Sequence, residues 1–294
     1  MTSKSNPRLA LISYAFAATL WAVLFCTACG PADPVMLDLP ERADAAPGGD
    51  EISREIRTLE LGAREERIYA EISQGNVPTW LRQLRPVEVR GEVDGRRHRV
   101  TFWVTPDYLA VGSDSDYLLI PLSAQTAQRI ADLVGGSLPT PRMVDAIWAS
   151  ADLRVEPIRL QPNESMKTVR YFERHDNLVK GQRHLYDVPP GALVAGHKLD
   201  VVIASALSER PGEIALYGWH HSSGQVIQPL FIGATDSLVA FSHGVRLVDR
   251  RVVVDGARRD LWDVLRDPEL AQVLSDDGVI AQASYPAPGG SEAQ

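Results

Sequence analysis

Alternating apolar and polar residues predict β-strands in both halves of the chain. Residues 87–93 alternate valine with charged or small residues, and residues 99–104 alternate back. Asp94-Gly95 between them is a typical two-residue turn, so a hairpin is predicted here. Further short strands are predicted at 108–111, 117–122, 200–204 and 213–219, and a second hairpin from 246–248 and 251–254 around Asp249-Arg250.

Two helices are predicted between these groups of strands from their end signals. Ser123 is a good N-cap before an apolar face, and Gly135 is a typical helix stop. Thr140 followed by Pro141 is a typical start for a second helix. The N–H of the first helical residue has no partner within the helix, so proline, which lacks this N–H, is favoured there.

Two further amphipathic segments complete the pattern. Residues 51–74 carry apolar residues at three- and four-residue steps, which predicts a helix. Residues 260–274 do the same, although Pro268 should kink or split that helix. Strands, then helices, then strands predict an α+β fold with a mixed or antiparallel sheet and helices packed on it.

Composition along the chain predicts one main domain over residues 51–284. Residues 30–50 are rich in proline, glycine, alanine and aspartate, which predicts a flexible linker. Residues 285–294 predict a disordered tail. Within the domain, 51–155 and 156–284 are candidate N-terminal and C-terminal subregions.

The first 29 residues have the pattern of a targeting segment rather than of a fold. A basic stretch, 1–8, precedes an uncharged apolar run, 9–25, which is typical of a secretory signal. Thr27 and Ala28 before Cys29 resemble a bacterial lipobox. That resemblance implies a lipid on Cys29, which becomes the first mature residue.

Residues 1–29 leave two alternatives to lipidation open, an uncleaved N-terminal anchor and ordinary signal cleavage without a lipid. All three place the following chain outside the cytoplasm. The lipidated form is a membrane-anchored lipoprotein of the cell envelope, facing the periplasm or exposed at the cell surface.

Charge and cysteine content exclude several function classes. The formal net charge of −8 argues against a nucleic-acid partner, because such proteins are basic. Cys26 and Cys29 are the only cysteines, and both lie in the targeting segment. The domain therefore has no disulfide, no cysteine nucleophile and no cysteine-ligated zinc.

Histidines concentrate in the second half of the chain, where five of the seven lie between His184 and His243. Residues 196–200, 217–221 and 241–246 each place polar groups beside an apolar run. Functional groups often lie at strand ends and in the adjoining loops, so one shared cleft is predicted. Its candidate lining residues are His197, Asp200, His220 or His221, Ser242, His243 and Arg246.

The first chemical interpretation of this cluster is a serine hydrolase. If 241–247 is extended, Ser242 faces away from His243, so its base must be His197, His220 or His221. Asp200 would orient that imidazole. The interpretation gives Arg246 the role of holding an anionic substrate group or a developing oxyanion.

The second chemical interpretation is a divalent metal site. His197, His220 and His243 with Asp200 have the ligand types of catalytic zinc, although no spacing motif supports them. The acidic loop at 112–116 is a weaker candidate for calcium, because it lacks the full ligand spacing of a calcium loop.

A short motif resembles the L,D-transpeptidase family. Residues 217–262 contain a histidine, a spacer and then Ser-His-Gly-Val-Arg-Leu at 242–247. The family has Ser-His-Gly-Cys-Val/Ile-Arg-Leu, so its nucleophilic cysteine is missing here and its reaction is not implied. What the resemblance implies is a β-rich pocket facing the cell wall, in which Arg246 contacts an anionic peptide.

The leading interpretation is an exported, lipid-anchored hydrolase of an envelope polymer or peptide. A non-catalytic binding or scaffold lipoprotein and a metal-dependent hydrolase are the alternatives. The expected partners are the membrane and a cell-wall peptide or polysaccharide. A structural role stays open too, with hydrogen-bonded core histidines and Arg246 paired to Asp249 or Asp255.

Overall fold

The computed structural model describes Met1, residues 34–161 and residues 163–285. The targeting segment with Cys29 lies outside these residues, apart from Met1, and so does the tail from residue 286. In the described part of the chain, no helix is both long enough and apolar enough to span a membrane.

The described residues form groups of helices and groups of strands, as in an α+β fold. The α-helices are α1 Gly49–Ile56, α2 Leu61–Ser73, α3 Thr79–Arg82, α4 Ala124–Leu133, α5 Pro141–Ser150, α6 Val169–Arg183, α7 Leu261–Arg266 and α8 Ala271–Leu274. Short 3₁₀ helices cover Glu164–Lys167 and Ser205–Ser208. The first seven strands are β1 Arg85–Val93, β2 Arg96–Val104, β3 Ala110–Gly112, β4 Tyr117–Leu119, β5 Gly136–Ser137, β6 Leu153–Arg154 and β7 Val194–Ala195. The remaining strands are β8 Leu199–Val201, β9 Glu213–His220, β10 Val226–Thr235, β11 His243–Gly244, β12 Val248–Asp249, β13 Arg251–Val254 and β14 Ala257–Asp260.

Two larger sheets and two two-stranded sheets, β3-β4 and β6-β7, organise the described residues, and the predicted fold class is confirmed. A six-stranded antiparallel sheet is centred on β2, which pairs with β1 along one edge and with β12 and β13 along the other. A four-stranded sheet has the order β10-β9-β8-β11, in which only β8 and β11 run parallel. Because β2 pairs with β12 and β13, the two candidate subregions share one sheet.

Local signals located several elements correctly. The hairpin of β1 and β2 forms around Asp94-Gly95 as predicted. The Ser123 hydroxyl accepts the N–H of Thr126 and begins α4. Thr140 accepts the N–H of Met143 and begins α5. Pro268 separates α7 from α8.

The second predicted hairpin was wrong. Strands β12 and β13 do not pair with each other but follow one another along β2. Asp249 joins them, because its carboxylate accepts the N–H of Arg251 at 2.7 Å. The actual hairpin joins β13 to β14 through Asp255-Gly256, where φ is 51° and 88°. Two positive φ values suit an Asp-Gly turn.

The predicted single helix over 51–74 is two helices, α1 and α2, separated by residues 57–60. Leu59 is half-buried in that break, and Ala63 faces solvent rather than the core. Helix α1 also starts earlier than predicted, at Gly49. A Cβ there would lie 2.5 Å from the Tyr117 carbonyl carbon, so a close approach to the β4 backbone requires glycine.

The predicted linker and tail both contribute to the domain. Within 34–50, the N–H of Leu37 donates to the Arg82 carbonyl at 2.8 Å, and the Leu37 side chain is buried. At the other end, Tyr285 is buried and its hydroxyl donates to the Val202 carbonyl at 2.8 Å. These hydrogen bonds hold Leu37 and Tyr285, which lie outside the predicted limits 51–284, against the domain.

Candidate functional site

The three predicted polar segments meet on neighbouring strands of the four-stranded sheet. Strand β8 lies between β9 and β11, so Asp200 is paired with Tyr217 on one side and with Gly244 on the other. Gly244 is required there, because a Cβ would lie 2.4 Å from Tyr108 Cδ1. This close approach places the Tyr108 ring against β8 and β11.

Asp200 and Arg246 form a buried pair with Tyr108. Arg246 Nε lies 3.5 Å from Asp200 Oδ1, and the Tyr108 hydroxyl donates to Asp200 Oδ2 at 2.8 Å. The Arg246 guanidinium lies 4.1 Å from the centre of the Tyr108 ring and also donates to the carbonyls of Thr105 and Val194. Asp200 and Arg246 are each 1% exposed.

This arrangement corrects the predicted roles of Arg246. Its hydrogen-bonding groups are directed at Asp200 and two backbone carbonyls, so it joins β8 to β7 and to the residue after β2 rather than holding a substrate anion. Neither of the two carboxylates predicted as structural partners is involved. Asp249 pairs with Arg251, and Asp255 lies 2.8 Å from His98.

Burial controls the ionisation of this pair. Desolvation raises the pKa of Asp200 to about 6, although Arg246 and the Tyr108 hydroxyl favour the charged carboxylate. Desolvation and the negative charge of Asp200 also raise the pKa of Tyr108 well above its ordinary value. The pKa of Asp200 therefore lies closer to neutral pH than that of an ordinary aspartate.

His197 is directed at Asp107 rather than at Asp200. Its Nε2 lies 3.4 Å from Asp107 Oδ1, and both side chains are at most 1% exposed. Burial lowers the pKa of His197 to about 4, despite the attraction of Asp107. Burial opposes ionisation of Asp107 too, but Arg183 and His197 outweigh it and lower its pKa.

Lys198 is the chemically important residue that sequence reasoning missed. It is 1% exposed, and its Nζ donates to the Phe241 carbonyl at 2.6 Å, immediately before Ser242. Desolvation lowers the pKa of Lys198 to about 8, although Asp176 and Asp107 favour the charged form. The available signal was a lysine immediately before the apolar strand β8, since lysine is rarely buried without a partner.

Two further buried histidines face the same lysine. His175 and His243 are 0% and 2% exposed. Burial and the nearby charge of Lys198 lower the pKa of His243 to about 3, and they lower that of His175 as well. Both imidazoles are therefore neutral at physiological pH, while Asp176 pairs with Lys180 at 2.7 Å.

His220 has a different acidic partner from the one predicted. Its Nε2 lies 2.8 Å from Asp145 Oδ1, and its ring stacks on Trp148 with the centroids 5.5 Å apart. Asp200 also lies near Gly218, where a Cβ would be 3.4 Å from Asp200 Oδ2 and 3.7 Å from His220 Nδ1. His221 lies further out and contacts Glu156 at 2.5 Å.

The predicted Ser242–His–Asp200 triad is not formed in this structure. Ser242 is 5% exposed, and its carbonyl accepts the N–H of Leu199 at 2.8 Å. Among the described residues, no hydrogen bond joins the Ser242 hydroxyl to an imidazole. The reason is the strand geometry, which directs His197 to Asp107 and His220 to Asp145.

The predicted metal sites are not formed either. Over residues 34–161 and 163–285, no group of three or more histidine, cysteine or acidic side chains is arranged to hold a metal ion. In the acidic loop, Asp114 accepts the Thr79 N–H and hydroxyl, each at 2.5 Å. Asp116 accepts the N–H of Asp50 at 3.0 Å. These carboxylates join the loop to neighbouring helices instead.

Comparison with known proteins adds no relative: the chain matches no known family, no curated protein and no solved structure. The resemblance of residues 242–247 to the L,D-transpeptidase motif therefore stays a prediction.

Proposed function

We propose that the chain is an exported envelope hydrolase, anchored by a lipid on Cys29, in which Ser242 is the nucleophile and Lys198 its base. The single observation that supports this is the hydrogen bond from Lys198 Nζ to the Phe241 carbonyl at 2.6 Å. Phe241 immediately precedes Ser242 in the sequence. Lysine replaces the imidazole of the predicted triad, as in other serine–lysine hydrolases.

The surroundings of Lys198 fit the role of a base. A lysine with an ordinary pKa is almost wholly protonated at neutral pH and cannot accept a proton. With the pKa lowered to about 8, roughly a tenth of the amine is neutral at pH 7. The nearby neutral imidazoles of His175 and His243 add no positive charge.

The proposed reaction has two steps. The neutral amine of Lys198 takes the Ser242 proton while the serine oxygen attacks the substrate carbonyl, forming a tetrahedral intermediate. The leaving group accepts that proton as the intermediate collapses to an acyl-serine. Water then attacks the acyl-serine while Lys198 accepts a proton from the water, and Lys198 passes that proton to the Ser242 oxygen as the acyl–serine bond breaks. The expected substrate is a peptide or polymer of the cell envelope.

Labelling with a fluorophosphonate tests the nucleophile. We expect the full chain to gain one adduct by intact mass, located on Ser242 by peptide mapping. The Ser242→Ala variant should gain none. Ser275 is also buried, at 3% exposed, so Ser275→Ala is the matched control and should label normally. Absence of an adduct, or an adduct elsewhere, contradicts the proposal.

Membrane fractionation tests the anchor. Lipidation predicts that Cys29→Ser releases the protein from the membrane fraction, since the acyl chains supply stable attachment. An unchanged membrane fraction would instead support an uncleaved apolar anchor over residues 9–25.

A non-catalytic binding or scaffold lipoprotein is the second candidate, and the burial of the centre favours it. His197, Lys198 and Arg246 are at most 1% exposed. In that case the Lys198→Met and Ser242→Ala variants would lose thermal stability, and the wild-type chain would show no fluorophosphonate adduct.

A further inference from the structure

A basic groove lies at the start of helix α6, among residues that the proposed hydrolase does not use. Its volume is about 740 Å³. Polar side chains line part of it, including Asn163, Ser165 and Thr168. Its five cationic side chains are Arg57, Arg64, Lys167, Arg170 and Arg174.

The positive charge of this groove is largely uncompensated. Arg57 pairs with Glu173 at 2.5 Å. For the other four cations, no carboxylate of the described residues lies within 4.0 Å. The whole chain carries a net charge of −8, so this concentration of cations runs against its general composition.

Arg64 provides the observation that indicates a ligand. It is 7% exposed, and its Nη1 donates to the Lys167 carbonyl at 3.2 Å. Its Nε has no hydrogen-bond partner among the described residues, which is unfavourable for a buried guanidinium donor. Arg64 lines the groove, and an anionic oxygen bound there by its guanidinium would offset part of this cost.

Helix α6 adds to the attraction for an anion. It begins at Val169 and runs for 15 residues, and its N-cap Thr168 makes no side-chain capping hydrogen bond. The N-terminal N–H groups of a helix and its dipole favour a negative charge at this end. Arg170 and Arg174 are one helical turn apart on the same side of this terminus.

We propose that the basic groove binds a phosphate ester, with Arg64 as the buried anchor of the phosphate oxygens. Arginine forks match the geometry of phosphate oxygens. The volume lies within the range of small-molecule sites, so the groove has room for a ligand larger than free phosphate. The ester is a soluble phosphorylated compound or a phospholipid headgroup. This proposal stands independently of the Ser242 hydrolase.

Titration calorimetry and vesicle flotation distinguish a soluble phosphate ester from a phospholipid headgroup. Both use the full chain carrying Cys29→Ser, so that no acyl chain contributes to vesicle binding. The soluble probes are glycerol 3-phosphate and inorganic pyrophosphate. The lipid probes are vesicles of phosphatidylglycerol, with phosphatidylcholine vesicles as the neutral reference.

Two double variants distinguish binding in the groove from a general effect of lost positive charge. Arg170→Gln with Arg174→Gln removes two groove cations that are exposed and should fold normally. Arg258→Gln with Arg259→Gln removes the same charge from exposed positions on strand β14. Arg64→Gln removes the anchor, with folding checked by its melting temperature.

We expect the groove double variant to lose at least tenfold in affinity, and the β14 double variant to change less than twofold. Binding of the soluble probes identifies a soluble ester, and selective flotation with phosphatidylglycerol alone identifies a headgroup. The proposal is overturned if neither probe binds, or if both double variants weaken binding equally.

Discussion

At the residue scale, the centre depends on groups that are unfavourable to bury alone. Asp200, Arg246 and Lys198 are each 1% exposed, and each has a polar partner supplied by a segment distant in sequence. Removing one partner leaves the other buried and unpaired, which is strongly destabilising. Substitutions here must therefore be compared with matched changes elsewhere before a loss of activity is assigned to chemistry.

Gly244→Ala tests the close packing of the centre. The new Cβ would lie 2.4 Å from Tyr108 Cδ1 and 2.7 Å from Lys198 Cβ, so both side chains must shift. We expect a loss of about 1–3 kcal/mol in the free energy of unfolding, measured by urea denaturation. Gly181→Ala, in helix α6 with no atom within 4 Å of its Cβ, should be neutral or slightly stabilising. Equal effects of the two changes would contradict this account.

At the element scale, end signals located helices correctly but could not predict how distant strands pair. Ser123 and Thr140 act through N–H groups three residues away, so their roles can be read from short segments. The pairing of Asp200 with Arg246 depends on β8 lying parallel to β11, which no local pattern specifies. The burial of Lys198 depends on the same pairing, and this is why Lys198 was missed.

Thr140→Ala tests the local capping argument. Its hydroxyl accepts the Met143 N–H at the start of α5 and donates to the Leu274 carbonyl at the end of α8. Loss of the cap should lower the free energy of unfolding by about 1 kcal/mol, and loss of the second bond adds to this. Thr58→Ala, at an exposed position, is the control and should change stability by less than about 0.5 kcal/mol.

At the scale of the whole molecule, the predicted fold class is confirmed, and buried residues extend beyond the predicted limits 51–284. Composition suggested a linker over 30–50, but Leu37 is buried and backbone bonds hold this segment to the domain. Composition also missed the basic groove, because its cations are assembled from segments about 100 residues apart, as Arg64 and Lys167 illustrate. The net charge of the whole chain therefore does not reveal a local concentration of cations.

The pH dependence of stability tests the buried carboxyl in its folded context. The pKa of Asp200 is raised from 3.8 to about 6, so the folded protein binds more protons than the unfolded chain between those values. Its contribution to stability is fully present below about pH 4 and is lost as pH rises through 6.

We therefore expect Asp200→Asn to flatten the stability curve between pH 4 and 6, measured by urea denaturation at each pH. Asp263→Asn, at an exposed carboxyl, is the control and should follow the wild-type curve. If the free energy of unfolding of Asp200→Asn falls between pH 4 and 6 by as much as that of the wild type, another group titrates in this window.

The most direct test of the central claim is the rate of fluorophosphonate labelling of Ser242 as a function of pH. With Lys198 as the base, the rate should rise about tenfold per pH unit below pH 8 and level off above it, since only the neutral amine accepts the proton. Lys198→Arg keeps the positive charge but cannot become neutral, so its rate should be low and without this rise. The same rise in Lys198→Arg, or a rate that does not change with pH in the wild type, would contradict the account.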